Sequence, residues 1–506
     1  MKCLSLCPSA TLILSLSCSA AFAVSPEEVW SNWKAATATT RQQITTGTET
    51  RTSTGLELTD VKVVTTIPDS GIVMTSTIPK VVLTDMGDGT VSVSLSDSYS
   101  VTIREFGVQS STAGATITIG LPGARISASG EATAVRYTFA IPTLTGTLTE
   151  ATDEDGKPVD ATFDARFSGI DGTQLIVPQA AGGTMFDATV NIDRIEAAAA
   201  AANPDGAEKF KATFNAADLG SMSKGLVLPA ETMEDLAKAL AAGFTTETRT
   251  TGGAMSASLE FTDRGGVNTW QGELSEHHLT VMADKARLDF GFGMKGGKLA
   301  ASMPSEGLPP MDGSFGEITL RLAGPLAKTD APQDFLVLLR LVDVAASDMV
   351  WAMAGPAAGL PHDPMTAILD IRGKMGWAID IFDQAAGGMT EVPEMPVLLH
   401  SADLTQLLLK FVGAEAAATG ALTFDNTDLA TWEGFPTPTG KINANMKGVN
   451  ELLDRLVQIG LLPEDQLMTA RMMLAMFAKP GAGPGELVSE VEFKDKGLLI
   501  NGQKIR

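Results

Sequence analysis

Two stretches of alternating polar and apolar residues, far apart in the chain, resemble each other closely. Residues 257–265 read ASLEFTDRG and residues 489–497 read SEVEFKDKG, with Glu, Phe, Asp and Gly at matching positions. Alternation of this kind is typical of a strand with one buried face, and the Asp and Gly at its end indicate a tight turn. An amphipathic helix pattern precedes each stretch. The sequence therefore predicts two similar halves, each ending in a helix and then a β-hairpin.

Strand patterns dominate much of the remaining chain. Residues 55–177 are rich in threonine and valine, and Gly87-Asp88-Gly89 is a hairpin signal between two alternating segments. Further strands are expected at residues 279–282, 286–292, 298–302, 318–322 and 335–342, with tight glycine-rich turns joining the first three. We predict a β-rich α+β fold: two similar halves of antiparallel meandering sheet, residues 24–275 and 276–506, with amphipathic helices packed on one face. The halves could also share one continuous sheet.

Helix signals occur at three places. Ser25, Pro26 and Glu28 form a capping box before a stripe that contains Trp30 and Trp33. Residues 229–242 predict one helix, whereas the alanine run at 197–202 fits either a helix or a strand. Near the C-terminus, residues 449–456 predict one helix that ends at Gly460. Pro463 begins a second helix, whose broad apolar stripe contains Leu467, Met472, Met473, Met476 and Phe477.

The first 23 residues have the features of a secretory signal peptide. Lys2 supplies the positive charge, an apolar segment follows, and Ala21-Phe22-Ala23 matches a cleavage site. We therefore expect cleavage after Ala23 and a periplasmic location. Cys18 fits a lipid attachment site less well, because the residues before it lack the usual leucine.

Composition excludes several classes of protein. The three cysteines, Cys3, Cys7 and Cys18, all lie in the predicted signal peptide, so the mature chain has no thiol and forms no disulfide. The formal charge is −23, which disfavours binding to nucleic acid and to anionic lipid headgroups. After Ala23, no apolar stretch is long enough to predict a transmembrane helix.

Motifs for chemistry are sparse. The chain has four histidines, and His277 and His278 would point to opposite faces of a strand, where they could not share a metal. His362 and Asp363 lie between prolines that indicate a rigid turn. Asp153-Glu154-Asp155-Gly156 is acidic but lacks the spacing of a calcium loop. No metal and no cofactor is expected.

One formal catalytic motif is present, Ser221-Met222-Ser223-Lys224, the Ser-x-x-Lys of penicillin-recognising serine enzymes. That chemistry requires the serine at the start of a helix, together with two further motifs that this chain lacks. A serine hydrolase or acyltransferase that uses Ser221 and Lys224 is therefore the less favoured alternative.

Residues 351–375 resemble a known family. The pattern comprises Trp351, Pro356, the segment Leu360-Pro361-His362-Asp363-Pro364 and the strand Leu369-Asp370-Ile371-Arg372-Gly373. It is similar to the alphaproteobacterial envelope proteins catalogued as domain of unknown function 2125. The start of the mature chain, from Ser25 to Trp33, and its end, from Phe493 to Asn501-Gly502, also look like that family. At position 362 the family pattern implies a basic residue such as Arg, and His362 departs from it.

The resemblance implies a fold and an envelope location, but no activity. We therefore expect an exported, non-enzymatic binding or scaffold module whose partner is a lipid or another envelope protein. If the ligand is a lipid, an apolar groove would be formed by the concave face of the sheet and by Leu467, Met472, Met473, Met476 and Phe477.

Overall fold

The computed structural model describes residues 23–39, 42–67, 71–105, 113–180, 182–203, 206, 208–329, 331–379 and 396–506. All of the predicted signal peptide except Ala23 lies outside these residues. The described part of the chain is strand-rich with a few helices, which confirms the predicted fold class. The helices are α1 Pro26–Thr39, α2 Ala230–Met233, α3 Leu236–Ala241, α4 Asp348–Ala352, α5 Val449–Gln458 and α6 Glu464–Phe477.

The described strands form one sheet in which every pairing is antiparallel. In chain order they are β1 Gln42–Thr45, β2 Thr48–Arg51, β3 Gly55–Thr66, β4 Ile72–Asp85, β5 Thr90–Leu95, β6 Ser98–Glu105, β7 Gly114–Gly120, β8 Arg125–Glu131, β9 Ala134–Thr152, β10 Asp160–Pro178, β11 Thr184–Ala202, β12 Lys209–Val227, β13 Thr245–Gly252, β14 Met255–Asp263, β15 Gly266–Leu274, β16 Glu276–Ala283, β17 Arg287–Met303, β18 Leu308–Pro325, β19 Gln333–Ala346, β20 Met365–Trp377, β21 Val397–Phe411, β22 Ala414–Asp425, β23 Thr437–Lys447, β24 Lys479–Pro480, β25 Leu487–Lys494, β26 Gly497–Ile500 and β27 Gln503–Lys504.

One arrangement of strands occurs twice in this sheet. The long strand β4 pairs with both β5 and β6, these pair with β8 and β7, and both branches rejoin at β9. In the same way β12 pairs with β13 and β14, these pair with β16 and β15, and both branches rejoin at β17. The predicted division into two similar halves is not confirmed, because the sheet continues through residue 275, between β15 and β16.

The two similar sequence stretches form equivalent hairpins. In the first hairpin, β14 pairs with β15, and the other edge of β14 pairs with β12. The second is β25, which pairs with β23 and with β26. In both hairpins the Asp of the stretch lies at the turn, and Asp263 Oδ1 accepts the backbone N–H groups of Gly265 and Gly266.

The long strands change the phase of their alternation halfway along their length. In β3, Leu56 and Leu58 lie before Asp60 and Val61 lies after it, yet all three apolar side chains belong to one core cluster. Asp60 has a φ of 49°, in the left-handed region, and Gly169 of β10 has a φ of 62°. Such a residue interrupts the regular pleat, so apolar side chains move from even to odd positions while they stay on one face.

The N-terminal helix covers one end of this apolar face. Ser25 and Glu28 form the predicted capping box, with Ser25 Oγ accepting the Glu28 N–H at 3.3 Å and Glu28 Oε2 accepting the Ser25 N–H at 2.8 Å. Val29 and Trp30 are buried, and they pack in the core cluster with strands β3, β4, β5, β8 and β9. The stripe predicted from the sequence therefore docks α1 onto the sheet, with Trp30 in the core cluster and Trp33 packed against it.

Three local predictions are corrected or settled by the structure. Residues 229–242 form two short helices, because Asp235 caps α3 by accepting the Lys238 N–H. Apart from Ala286, the segments 286–292 and 298–302 belong to the single strand β17, in which Gly296 has a φ of 61° and the chain does not turn back. The alanine run is strand, since β10 and β12 pair with both of its edges.

Candidate functional site

A line of uncharged residues crosses the sheet, with one member from each successive hydrogen-bonded strand. We call it the long apolar row. Its members in order are Leu56, Leu83, Val93, Ile126, Phe139, Gly172, Val190, Ser221, Thr250, Leu279, Phe292, Leu320, Leu339, Leu369, Leu407, Ala418, Ala444 and Ser489. Since neighbouring strands lie ~4.8 Å apart, the row is on the order of 80 Å long.

The exposure of this row changes along its length. Leu56, Leu83 and Val93 are buried beneath α1 in the core cluster. From Leu279 onward the large side chains are half-buried, and Leu407 is 37% exposed. Near the other end, Ala418 and Ser489 are buried again, at 8% and 9% exposed, so the described chain covers both ends of the row and leaves much of the stretch between them partly open to solvent.

A second line, the short apolar row, crosses the other end of the long strands. Its members in order are Tyr99, Ile119, Gly146, Ala165, Ala197, Phe214, Ala257, Gly272, Leu299, Gly313 and Ala346. Leu299 is 60% exposed, and next to this row lie Phe261 and Trp270, which are 37% and 36% exposed. The apolar residues of the first repeated stretch therefore contribute to an open apolar surface.

The opposite face of the sheet carries ion pairs. Arg321 donates hydrogen bonds of 3.0 and 2.8 Å to the two carboxylate oxygens of Asp289, and this guanidinium holds the pKa of Asp289 below its usual range. Arg372 binds Asp370 in the same bidentate manner, at 3.0 Å for both bonds. No member of the long apolar row is charged, so the face that carries this row is the candidate apolar binding surface.

The Ser-x-x-Lys motif lies in the middle of β12 and not at the start of a helix. Register is continuous here, so Ser221 belongs to the long apolar row and Lys224 lies on the opposite, charged face. Ser221 Oγ lies 3.2 Å from Thr250 Oγ1, whereas Lys224 Nζ lies 2.9 Å from Glu247 Oε2. The lysine cannot activate the serine in this geometry, so the alternative hydrolase prediction loses its structural basis.

The methionine-rich helix α6 is fixed to the sheet at its C-terminal end. The Phe477 carbonyl accepts hydrogen bonds from Ser489 Oγ at 2.6 Å and from Asn501 Nδ2 at 3.1 Å. Arg471 of α6 also binds Asp454 of α5, at 2.6 Å.

The apolar stripe of α6 faces solvent. Leu467 is half-buried, and the exposed fractions of the others are 64% for Met472, 54% for Met473, 52% for Met476 and 41% for Phe477. Two cavities, of 630 and 610 Å³, are lined by other residues. The five side chains therefore form an open surface, and their role in ligand binding stays a prediction.

Histidines do not assemble a metal site in the described chain, where no three His, Cys, Asp or Glu side chains are grouped to hold an ion. His277 lies opposite Gly252 of β13, and His278 lies opposite Gly293 of β17. Each imidazole ring therefore packs over the glycine that faces it on the adjacent strand. In the acidic turn, Asp153 Oδ1 accepts the backbone N–H groups of Asp155 and Lys157, which explains its composition without calcium.

The Pro-rich segment that contains His362 has a structural role. The His362 ring stacks on Trp351 with a centroid distance of 4.7 Å, and Trp351 lies 6.4 Å from Phe411. His362 Nδ1 lies 2.7 Å from Asp348 Oδ1, and His362 Nε2 lies 3.1 Å from the Ala358 carbonyl. These contacts fasten α4 and the following turn to the end of β21.

Comparison with protein families matches residues 254–503 to a family described as uncharacterized proteins conserved in bacteria, DUF2125. Over these residues the chain belongs to the DUF2125 family. No curated protein and no solved structure matches the chain. The DUF2125 region begins next to β14 and ends in β27, so it holds the long apolar row from Leu279 to Ser489 together with α4, α5 and α6.

The match is narrower than the resemblance in the sequence suggested. It includes Trp351 and the strand 369–373, of which Leu369 lies in the long apolar row, but it does not include the N-terminal segment 25–33. It names neither an alphaproteobacterial origin nor a location. Among the described residues no helix is both long and apolar enough to cross a bilayer.

The apolar rows were not predicted from the sequence. Alternation identifies which residues of one strand share a face, but the rows depend on register between strands and on the phase change at residues such as Asp60 and Gly169. The only available signal was the left-handed preference of Gly, Asn and Asp within otherwise regular strand patterns.

Proposed function

We propose that this protein is a non-enzymatic envelope protein that binds the acyl chains of lipids along the long apolar row. The observation that supports this function is an uncharged row that is buried at both ends and partly open over much of the length between them. A row on the order of 80 Å exceeds the ~15 Å that an acyl chain spans in one leaflet of a bilayer, so several chains could lie across the strands.

The chemistry of the row favours acyl chains over headgroups. Each methylene group that leaves water contributes about 0.8 kcal/mol, so a chain of ordinary length could bind without a charged anchor. The chain has a formal charge of −23, which opposes the close approach of anionic headgroups. Partly open side chains such as Leu407, which is 37% exposed, would leave water when an acyl chain covers them.

The location is part of the proposal. The signal-like N-terminus leads us to place the mature protein in the periplasm, beginning at Val24. N-terminal sequencing of the protein from its own envelope tests this point. A first residue of Val24 supports export and cleavage, whereas a retained Met1 or a lipid on Cys18 contradicts it.

Consecutive leucines provide a matched test of binding. Leu339 lies in the long apolar row, and Leu338 lies on the opposite face, where it pairs with Asp370 and Arg321. Both side chains are half-buried. Native mass spectrometry with lipid extraction should detect co-purifying lipid in the unmodified protein and in Leu338→Asp, and about tenfold less in Leu339→Asp. Equal lipid content in the two variants would contradict the proposal.

The exposed stripe of α6 is a second surface for the same ligand or for another envelope protein. Its methionines are flexible and polarizable, and such side chains adapt to varied apolar partners. Changing Met473 and Met476 to Asp, with the fold retained, should reduce co-purifying lipid if the stripe contacts it. An unchanged amount of co-purifying lipid would indicate that the lipid binds to the sheet and not to the stripe.

A further inference from the structure

A separate cavity lies on the charged face of the sheet, near one end of the long strands. Its volume is 630 Å³, within the range of ~300–1,000 Å³ for small-molecule sites. Strands β10, β11, β12, β13, β16 and β17 all contribute to it. Since this face is opposite the long apolar row, the cavity is distinct from the proposed acyl-chain surface.

Strand register shows how the residues that line the cavity are arranged. On the floor, Asp187 lies between Leu175 of β10 and Lys224 of β12. One row nearer the strand ends, Met185 lies between Val177 and Leu226. Asp187 is therefore an exposed carboxylate with the apolar side chains of Leu175 and Met185 beside it and Lys224 across from it.

Asp187 differs from the other carboxylates of this cavity in having no partner among the described residues. Glu247 is bound by Lys224 Nζ at 2.9 Å and by Arg249 at 3.1 Å. Asp289 is bound by Arg321, and Asp284 Oδ1 accepts two backbone N–H groups of its own turn. Although Lys224 lies directly opposite Asp187 in register, its ammonium group is engaged by Glu247.

We infer that this cavity binds a small amphiphilic organic cation, with its ammonium group on Asp187 and its apolar body against Leu175, Val177, Met185 and Leu226. The unpaired carboxylate supplies the charge complementarity, and the formal charge of −23 favours the approach of cations. A divalent metal fits poorly, since Ca²⁺ requires six to eight oxygen ligands and the neighbours of Asp187 are largely apolar.

Isothermal titration calorimetry with n-octylammonium, below its micellar concentration, tests this inference on the purified mature protein. We expect n-octylammonium to bind more tightly than octanoate, because the long apolar row is open to both alkyl chains whereas Asp187 favours the ammonium group alone. Asp187→Asn should weaken binding about tenfold, because a charge-assisted hydrogen bond is lost. Lys224→Gln should strengthen binding, because it removes a competing cation. Asp284→Asn, also at the cavity but bound to backbone, is the matched control and should bind normally.

Other results would overturn the inference. Equal binding of octanoate, or unchanged binding in Asp187→Asn, would remove the role of the carboxylate. Loss of binding in Leu339→Asp but not in Asp187→Asn would place the ligand on the long apolar row. Because Asp187 is exposed, its variant should keep the native circular dichroism spectrum, so a change in affinity reports on the cavity.

Discussion

Lys211 Nζ lies 3.2 Å from Glu260 Oε1, across the pair formed by β12 and the first repeated stretch. The second stretch repeats this relationship, with Lys441 Nζ 3.5 Å from Glu492 Oε1 across β23 and β25. The recurrence of Glu260 and Glu492 thus has a structural explanation, because each carboxylate pairs with a lysine directly opposite on the preceding long strand.

The Lys211–Glu260 pair should contribute little to stability. Both side chains are substantially exposed, at 63% and 39%, and exposed pairs of this kind contribute less than about 1 kcal/mol. A double-mutant cycle with Lys211→Met and Glu260→Gln, followed by urea denaturation, should give a coupling energy within that limit that falls as salt is added. A larger coupling that is insensitive to salt would contradict this assignment.

Replacing Gly169 by Ala should destabilise the sheet where its long strands change phase. Gly169 has a φ of 62°, and a side chain there would collide with Asp193 of β11. The left-handed conformation alone costs about 1–2 kcal/mol for a residue with a side chain. Gly307 is a matched control, with a φ of 69° and open space around it. In thermal unfolding, Gly169→Ala should lose clearly more stability than Gly307→Ala, and equal losses would exclude the contact with Asp193.

The Asp289–Arg321 pair predicts a pH-dependent contribution to stability. Asp289 is 8% exposed, and the hydrogen bonds from Arg321 lower its pKa in the folded state. The pair therefore stabilises the protein above the unfolded-state pKa of about 3.9, and this stabilisation is lost as the pH falls through the lower folded-state pKa. Asp289→Asn should reduce the free energy of unfolding by about 1 kcal/mol at neutral pH, allowing for the half-exposed guanidinium. Denaturant titrations should show this difference shrinking in acid, and a constant difference would contradict the prediction.

Tyrosine titration tests the core beneath α1. The chain has two tyrosines, and burial raises the pKa of Tyr137 to about 12 and that of Tyr99 above its usual value. A raised folded-state pKa means that this contribution to stability is complete below about pH 10 and is lost as the pH rises through the folded-state value. Ultraviolet absorbance should show tyrosinate forming only above the usual tyrosine pKa of about 10. Tyr137→Phe should remove the ionisation step that occurs at the higher pH. Ionisation of both tyrosines near pH 10 in the folded protein would contradict the packing of Tyr137.

The sequence predicted much of the local structure and little of the site. Alternation and turn residues located the hairpin at residues 257–265, and the capping box located the start of α1. The helix over 229–242 was wrong in detail, because Asp235 prefers to cap a new helix. The Ser221–Lys224 motif was misleading, since residues three apart on a strand lie on opposite faces. The long apolar row depends on pairings between distant strands, which local patterns do not encode.

Photo-crosslinking from Leu339 and Leu338 reports directly whether acyl chains lie along the long apolar row. A photo-reactive amino acid is placed at either position, and the protein is irradiated in its own envelope with labelled lipids. If acyl chains lie along this row, a lipid adduct forms from position 339 and none above background from position 338. Equal crosslinking from the two positions, or no adduct from position 339 in the folded protein, would contradict it.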